Sequence, residues 1–170
     1  MKHIYFIRHG ESEMNAAGLI AGNTETPLTA KGRFQALEAG KTAKNLNIGC
    51  IISSPQSRAL ETAQIIAAEI GYPATDILVN DLAKERYFGE LEGTKWSLNI
   101  DLSGVGGIEP AEILIGRAQS LLDWAKTLEP ENILVVSHGA FGRALRSLLT
   151  SIAFDDRTVR SNNAEINQWL

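Results

Sequence analysis

A chain of 170 residues is long enough for one domain with a substantial buried core, and its 44% apolar content is that of an ordinary globular protein. The formal net charge of −4 argues against nucleic acid or an anionic membrane as partner, and no run approaches the roughly 18 apolar residues that would span a bilayer. Cys50 is the one cysteine, so no internal disulfide can form. Its apolar surroundings predict a core residue of a cytoplasmic protein with no leader.

Met1 to Ile7 reads as a short buried strand carrying Ile4, Phe6 and Ile7, and it ends in the turn RHGES. Gly18, Gly22 and Pro27 mark Ala16 to Leu28 as loop. Thr29 is the expected N-cap of a helix running to about Leu46. Ile48 to Ser53 is a second strand. Ser54 is then expected to cap a helix with Pro55 at its first position, and Leu60, Ala63, Ile66, Ala67 and Ile70 recur at helical spacing. Ile77 to Val79 makes a short third strand, followed by an irregular loop from Asp81 to Gly93.

Pro110 to Leu128 is helical, with Ile113, Leu114, Ala118, Leu121, Leu122 and Ala125 as its expected inner face. Ile133 to Val136 is a continuous apolar strand, the pattern of a strand covered on both faces. Gly139 opens another helix, and Glu165 to Leu170 is read as an edge strand. Strands and helices alternate, so the expected fold is a single α/β domain over residues 1–170. It is a three-layer sandwich with a mostly parallel sheet and helices on both faces.

In such sheets ligands bind beyond the carboxyl ends of the strands. That rule singles out the loops RHGES, SSPQSR and SHGAFGR, which hold Arg8, His9, Arg58 and His138. Two arginines can each offer a fork to a phosphate, and a protonated His138 would add a further donor. The helices beginning at PQSR and GAFGR are expected to aim backbone N–H groups at the same anion. His9, at the strand tip in a Gly10 turn, is the candidate nucleophile. One ring nitrogen would bond a backbone carbonyl while the other faces phosphorus. A leaving alkoxide needs a proton, and Glu85 and Glu11 are the options, with Glu11 better placed to orient the turn. Plainer roles compete: His138 as a helix cap, Arg58 paired with Glu61, Glu85 paired with Lys84 or Arg86. His3 falls away from the loop edge. Trp96, Trp124 and Trp169 read as packing residues, with Trp96 also a candidate for the pocket border.

RHGES with Asn15, PLTAKG with Gln35 and Ala36, SSPQSRALETA, LAKERYFGELEG and VSHGAFGRAL, in that order, resemble the histidine phosphatase superfamily, the phosphoglycerate mutase-like group. The resemblance covers nearly the whole chain. It implies a phosphohistidine at His9, a phosphate pocket of Arg8, Arg58 and His138, and Glu85 as proton donor. It places Ser12, Asn15, Gly22 and Gly139 along the substrate site and implies no metal or cofactor. The implied reaction is hydrolysis of a small phosphorylated metabolite, with cofactor-dependent phosphoglycerate mutation as the alternative. Mutases of this group carry paired arginines after the acid loop. Here Thr94 to Gly116 has Lys95 and no arginine, which favours a more open pocket and hydrolysis. Oligomeric state is left open.

Overall fold

The computed structural model describes residues 2–169. Met1 and Leu170, the outer ends of the first and last predicted strands, lie outside the described residues. Five strands form one sheet: β1 (His3–Arg8), β2 (Cys50–Ser53), β3 (Leu78–Val79), β4 (Asn132–Ser137) and β5 (Ile166–Gln168). Their order is β3-β2-β4-β1-β5, with β1, β2, β3 and β4 parallel and β5 antiparallel to β1. The helices are α1 (Glu13–Ala16), α2 (Ala30–Ala43), α3 (Ser57–Ile70), α4 (Ala111–Thr127) and α5 (Gly139–Leu149). This is the expected three-layer α/β sandwich.

Alternation along the strands divides the core. Ile4, Phe6, Ile52, Ile133 and Val135 meet α4 and α5 on one face. Tyr5, Ile7, Ile51, Leu134 and Val136 meet α2 and α3 on the other. Cys50 lies in the first of these clusters, as a core thiol whose pKa burial pushes up. Trp169 stacks on Phe6 with ring centroids 4.9 Å apart, and Trp124 packs against the same cluster.

Local readings hold in the main. Thr29 caps α2, its side chain accepting the Gly32 N–H at 3.0 Å. Two details differ. Ile113 is 54% exposed, because α4 turns Leu114, Ala118, Leu121, Leu122 and Ala125 inward and leaves Ile113 on the solvent side. Helix α3 begins at Ser57 with Gln56 as its N-cap, not at Ser54. The Ser54 hydroxyl accepts Gln56 N–H at 3.3 Å and also lies 2.8 Å from His138 Nε2.

Because β1, β2 and β4 are parallel, their carboxyl ends share one edge. Arg8 pairs with Ser137 and Ser53 with Val136 in the register. The ladder continues one step outward, with His9 N–H donating to Ser137 O at 2.9 Å and Ser54 N–H to Val136 O at 3.0 Å. His9, Ser54 and His138 therefore stand on adjacent strand tips.

Candidate active site

The turn after β1 fits against the start of α2 with no room for side chains. A Cβ on Gly10 would lie 2.3 Å from the Gly32 carbonyl oxygen, and one on Gly32 would lie 2.0 Å from the Glu11 carbonyl oxygen. Glu11 N–H donates to Gln35 Oε1 at 2.8 Å, and the Glu11 carboxylate accepts from Thr29 Oγ1 at 2.9 Å. Gly10 N–H donates to Thr62 Oγ1 at 3.1 Å. Glu11 thus orients the turn, as expected, and the turn in turn fixes His9.

His9 is 3% exposed. Its Nδ1 lies 2.6 Å from Gly10 O, a contact that requires the proton on Nδ1 because the carbonyl only accepts. Nε2 is left with a lone pair, which accepts Arg58 Nε–H at 3.2 Å. Burial, reinforced by Arg8 and Arg58, holds the ring pKa well below its ordinary value. His9 is therefore a neutral imidazole with Nε2 as its basic atom at physiological pH.

Arg58, 1% exposed, also donates to Gly22 O (2.7 Å) and Thr24 O (3.0 Å), not to Glu61. Glu61 pairs with Arg33. Gly22 has φ +52°, and a Cβ there would strike the Glu92 carboxylate at 2.1 Å. Glu92 binds the N–H groups of Asn23, Thr24 and Phe88, tying this loop to the acid loop.

His138 is fully buried, its ring edge-on to His9 with centroids 5.1 Å apart. Its Nδ1 has no hydrogen-bond partner among the described residues. Burial, then Arg58, His9 and Arg8, holds its pKa well below the ordinary value. Burial and three basic neighbours disfavour the charged ring, so the protonated His138 expected beside a phosphate would depend on that anion's own charge.

Glu85 lies in the loop between two 3₁₀ turns, Asp81–Ala83 and Gly89–Leu91. Its Oε2 accepts Ala140 N–H and its Oε1 accepts Phe141 N–H, both at 3.1 Å. The first amides of α5 therefore hold this carboxylate rather than an external anion. At the start of α3, Ser57 N–H donates to Glu25 at 3.0 Å. Arg117 supports the acid loop from below, donating to Lys84 O at 3.0 Å and gripping Glu109 with two nitrogens.

These groups border a cavity of about 290 Å³. Of the expected residues, Arg8, His9, Asn15, Gly22, Arg58, Glu85 and Gly139 line it, and His138 stands beside His9. Ser12 is buried away from the wall, where it and Asn15 cap α1 reciprocally. Trp96 does border the cavity. His3 lies at the other end of β1. Among the described residues no group of three or more His, Cys, Asp or Glu could hold a metal ion, and no helix is long and apolar enough to cross a membrane.

Three kinds of residue escaped the sequence reading. Gln56, inside SSPQSR, bridges two loops: its Nε2 donates to Gly22 O at 3.0 Å and its Oε1 accepts Glu85 N–H at 2.7 Å. Asn163 donates to His9 O at 2.8 Å and Asn15 Oδ1 at 3.3 Å. Arg143, Arg157 and Arg160 also line the cavity, so its rim is not poor in arginine. They come from α5 and the segment after it rather than from Thr94 to Gly116.

Residues 4–169 match the histidine phosphatase superfamily (branch 1). A Salmonella paratyphi A protein named "Probable phosphoglycerate mutase GpmB" is 36% identical over 193 residues, covering 100% of this chain and 88% of its own. The Entamoeba histolytica phosphoserine phosphatase, solved in complex with 3-phosphoglyceric acid, is 33% identical. It superposes with a TM-score of 0.83 over 99% of this chain and 90% of its own. A mycobacterial glucosyl-3-phosphoglycerate phosphatase in complex with VO3 shares the fold at 22% identity, with a TM-score of 0.85 over 99% and 92% of the two chains.

Proposed function

Because the chain belongs to the histidine phosphatase superfamily, we propose that it hydrolyses a small phosphate monoester through a phosphohistidine at His9. The observation that carries this reading is the unprotonated Nε2 of a buried, neutral imidazole whose Nδ1–H is fixed on Gly10 O, with Arg8 beside it and Arg58 donating to it.

In the first half-reaction the Nε2 lone pair forms a P–N bond as the ester P–O bond breaks. The electron pair leaves on the alcohol oxygen, and Glu85 supplies the proton that completes the alcohol. Arg8, Arg58 and one N–H of His138 stabilise the equatorial oxygens while charge is redistributed. In the second half-reaction water attacks phosphorus, the P–N bond breaks, and Glu85 takes the water's proton. Inorganic phosphate and the starting enzyme result.

The test is phosphate release from an aryl phosphate by the intact chain and by His9→Ala. The expected loss is about 10³-fold or more, with a histidine-bound phosphoryl group trapped by acid-free quenching of the wild type. Equal rates would refute the covalent role.

Phosphoryl transfer back to the alcohol, a mutase reaction, is the second reading. The rim arginines favour it, since they supply a grip on a second anionic group that the stretch Thr94 to Gly116 lacks. Supplying 3-phosphoglycerate with a trace of bisphosphate separates the two: phosphate release supports hydrolysis, and formation of 2-phosphoglycerate without it supports mutation.

A further inference from the structure

Gln56, in SSPQSR, is 4% exposed, so its side-chain amide must find partners within the protein. The orientation of that amide follows from what it meets. Glu85 N–H can only donate, so Oε1 faces it at 2.7 Å; Gly22 O can only accept, so Nε2 faces it at 3.0 Å. The Gln56 backbone is fixed as well. Its N–H donates to Ser54 Oγ at 3.3 Å, and its carbonyl accepts Ala59 N–H at 2.9 Å and Leu60 N–H at 3.0 Å as α3 begins.

Gly22 O takes a second donor, Arg58 Nη2 at 2.7 Å, and Arg58 Nε–H reaches His9 Nε2 at 3.2 Å. A continuous set of hydrogen bonds therefore links the Glu85 amide, the Gln56 side chain, Gly22 O, Arg58 and His9. Glu85 itself lies in an irregular loop, where no helix or strand ladder sets its backbone. Gln56 holds its N–H, and Arg117 Nη2 donates to its carbonyl at 3.4 Å. Its carboxylate accepts the N–H groups of Arg86, Ala140 and Phe141. Contacts to a carboxylate weaken whenever it carries a proton, whereas contacts to the peptide do not. Glu92 joins the same two loops farther out, at Asn23, Thr24 and Phe88, and touches no atom of Glu85 by hydrogen bond.

We propose that Gln56 is the positioning residue of the proton donor: its side-chain amide holds the Glu85 peptide at a set place relative to the His9–Arg58 pair. Gln56 does not line the cavity, so it acts through Glu85 and not on a ligand. The inference rests on the phosphatase reading, in which Glu85 protonates the leaving oxygen. A displacement of about 1 Å in such a group can cost up to about 10²-fold in rate.

Gln56→Met tests this on the intact chain. It replaces the amide with an apolar side chain of similar length, removing the acceptor from Glu85 N–H while Gly22 O keeps Arg58 as donor. On an alkyl phosphate kcat/KM should fall by about tenfold or more, and on nitrophenyl phosphate by about threefold or less. Vanadate inhibition should stay within about threefold of wild type. The ratio of the two kcat/KM values does not depend on how much of the variant is folded, so lost stability cannot imitate the result. In a Glu85→Gln background the same substitution should cost the alkyl ester about twofold or less, because the proton it positions is already gone. Gln56→Glu keeps an acceptor for Glu85 N–H and should recover part of the ratio; it also serves where the Met variant does not fold. Equal losses on the two esters, a matching loss of vanadate inhibition, or losses that multiply with those of Glu85→Gln overturn the positioning role. Glu85→Gln alone separates the two readings. An alkyl-specific loss there with an unchanged ratio in Gln56→Met overturns this inference only, whereas no alkyl-specific loss there removes Glu85 as the acid and Gln56 with it.

Discussion

Arg58 Nε lies 3.2 Å from His9 Nε2, so the lone pair needed for attack accepts a guanidinium N–H. The proposed transfer would require that N–H to turn from the ring to a phosphoryl oxygen. Under the proposed mechanism Arg58 would have two linked tasks, holding the His9 tautomer and receiving the phosphate, while its other nitrogens anchor Gly22 and Thr24.

Arg58→Ala should lower kcat/KM by about 10²- to 10³-fold and weaken inhibition by vanadate in parallel. Arg58→Lys keeps the charge but loses the fork, and should recover inhibitor affinity better than turnover. Vanadate inhibition unchanged in Arg58→Ala would remove Arg58 from the phosphate pocket.

Glu85→Gln should separate substrates by leaving group. An alkyl phosphate needs its departing oxygen protonated, so its kcat/KM, which ends at phosphoryl transfer and excludes the later water step, should fall by about 10²- to 10⁴-fold. A nitrophenyl phosphate, whose leaving group departs unprotonated, should lose much less. Equal losses of kcat/KM on both esters would argue that Glu85 holds the start of α5 and does not protonate the leaving group.

Stability should depend on pH through His9 and His138, both held well below the ordinary imidazole value in the folded chain. Above about pH 6.5 both are neutral folded or unfolded, and the full stability is present. As pH falls below that value the unfolded chain takes up protons that the folded chain refuses. Stability is lost until the pH passes the lowered folded-state values, at up to about 2.7 kcal/mol per pH unit for two histidines. Urea unfolding from about pH 7.5 to about 5 reads this slope, which should shrink in His138→Gln. The same logic places the acid limb of kcat/KM well below the ordinary imidazole pKa, within a bell-shaped profile. An acid limb at the ordinary histidine value would contradict the burial of His9.

Gly10→Ala and Gly32→Ala should each destabilise by about 1–3 kcal/mol, since backbone rather than a flexible side chain meets the new methyl. Activity should fall more than stability alone accounts for, because the displaced turn carries His9. Urea midpoints together with kcat on folded protein distinguish the two effects.

Strand tips were the legible part of this site. RHG, SSPQSR and SHG each follow an apolar strand, and parallel pairing alone brings His9, Arg58 and His138 together. Helix N-termini misled, because a sequence cannot say whether first-turn amides will find an outside ligand or a carboxylate of the same chain. Glu85 and Glu25 took them here. Ser54 read as a cap through its Pro55 neighbour, but His138 competes for the same hydroxyl. The rim was misjudged for a geometric reason. The contiguous stretch after the acid loop carries no arginine, whereas Arg143, Arg157 and Arg160 reach the rim from the far end of the chain.

The segment between α5 and β5 is fastened at both ends, to helix α5 on one side and through Asn163 to the His9 carbonyl on the other. Arg157, Arg160 and Asn163 thus reach the cavity on one stretch of polypeptide that follows α5. A change of length or charge between Thr150 and Asn162 would alter the cavity wall at Arg157 and Arg160 without replacing any residue of the strand-tip loops.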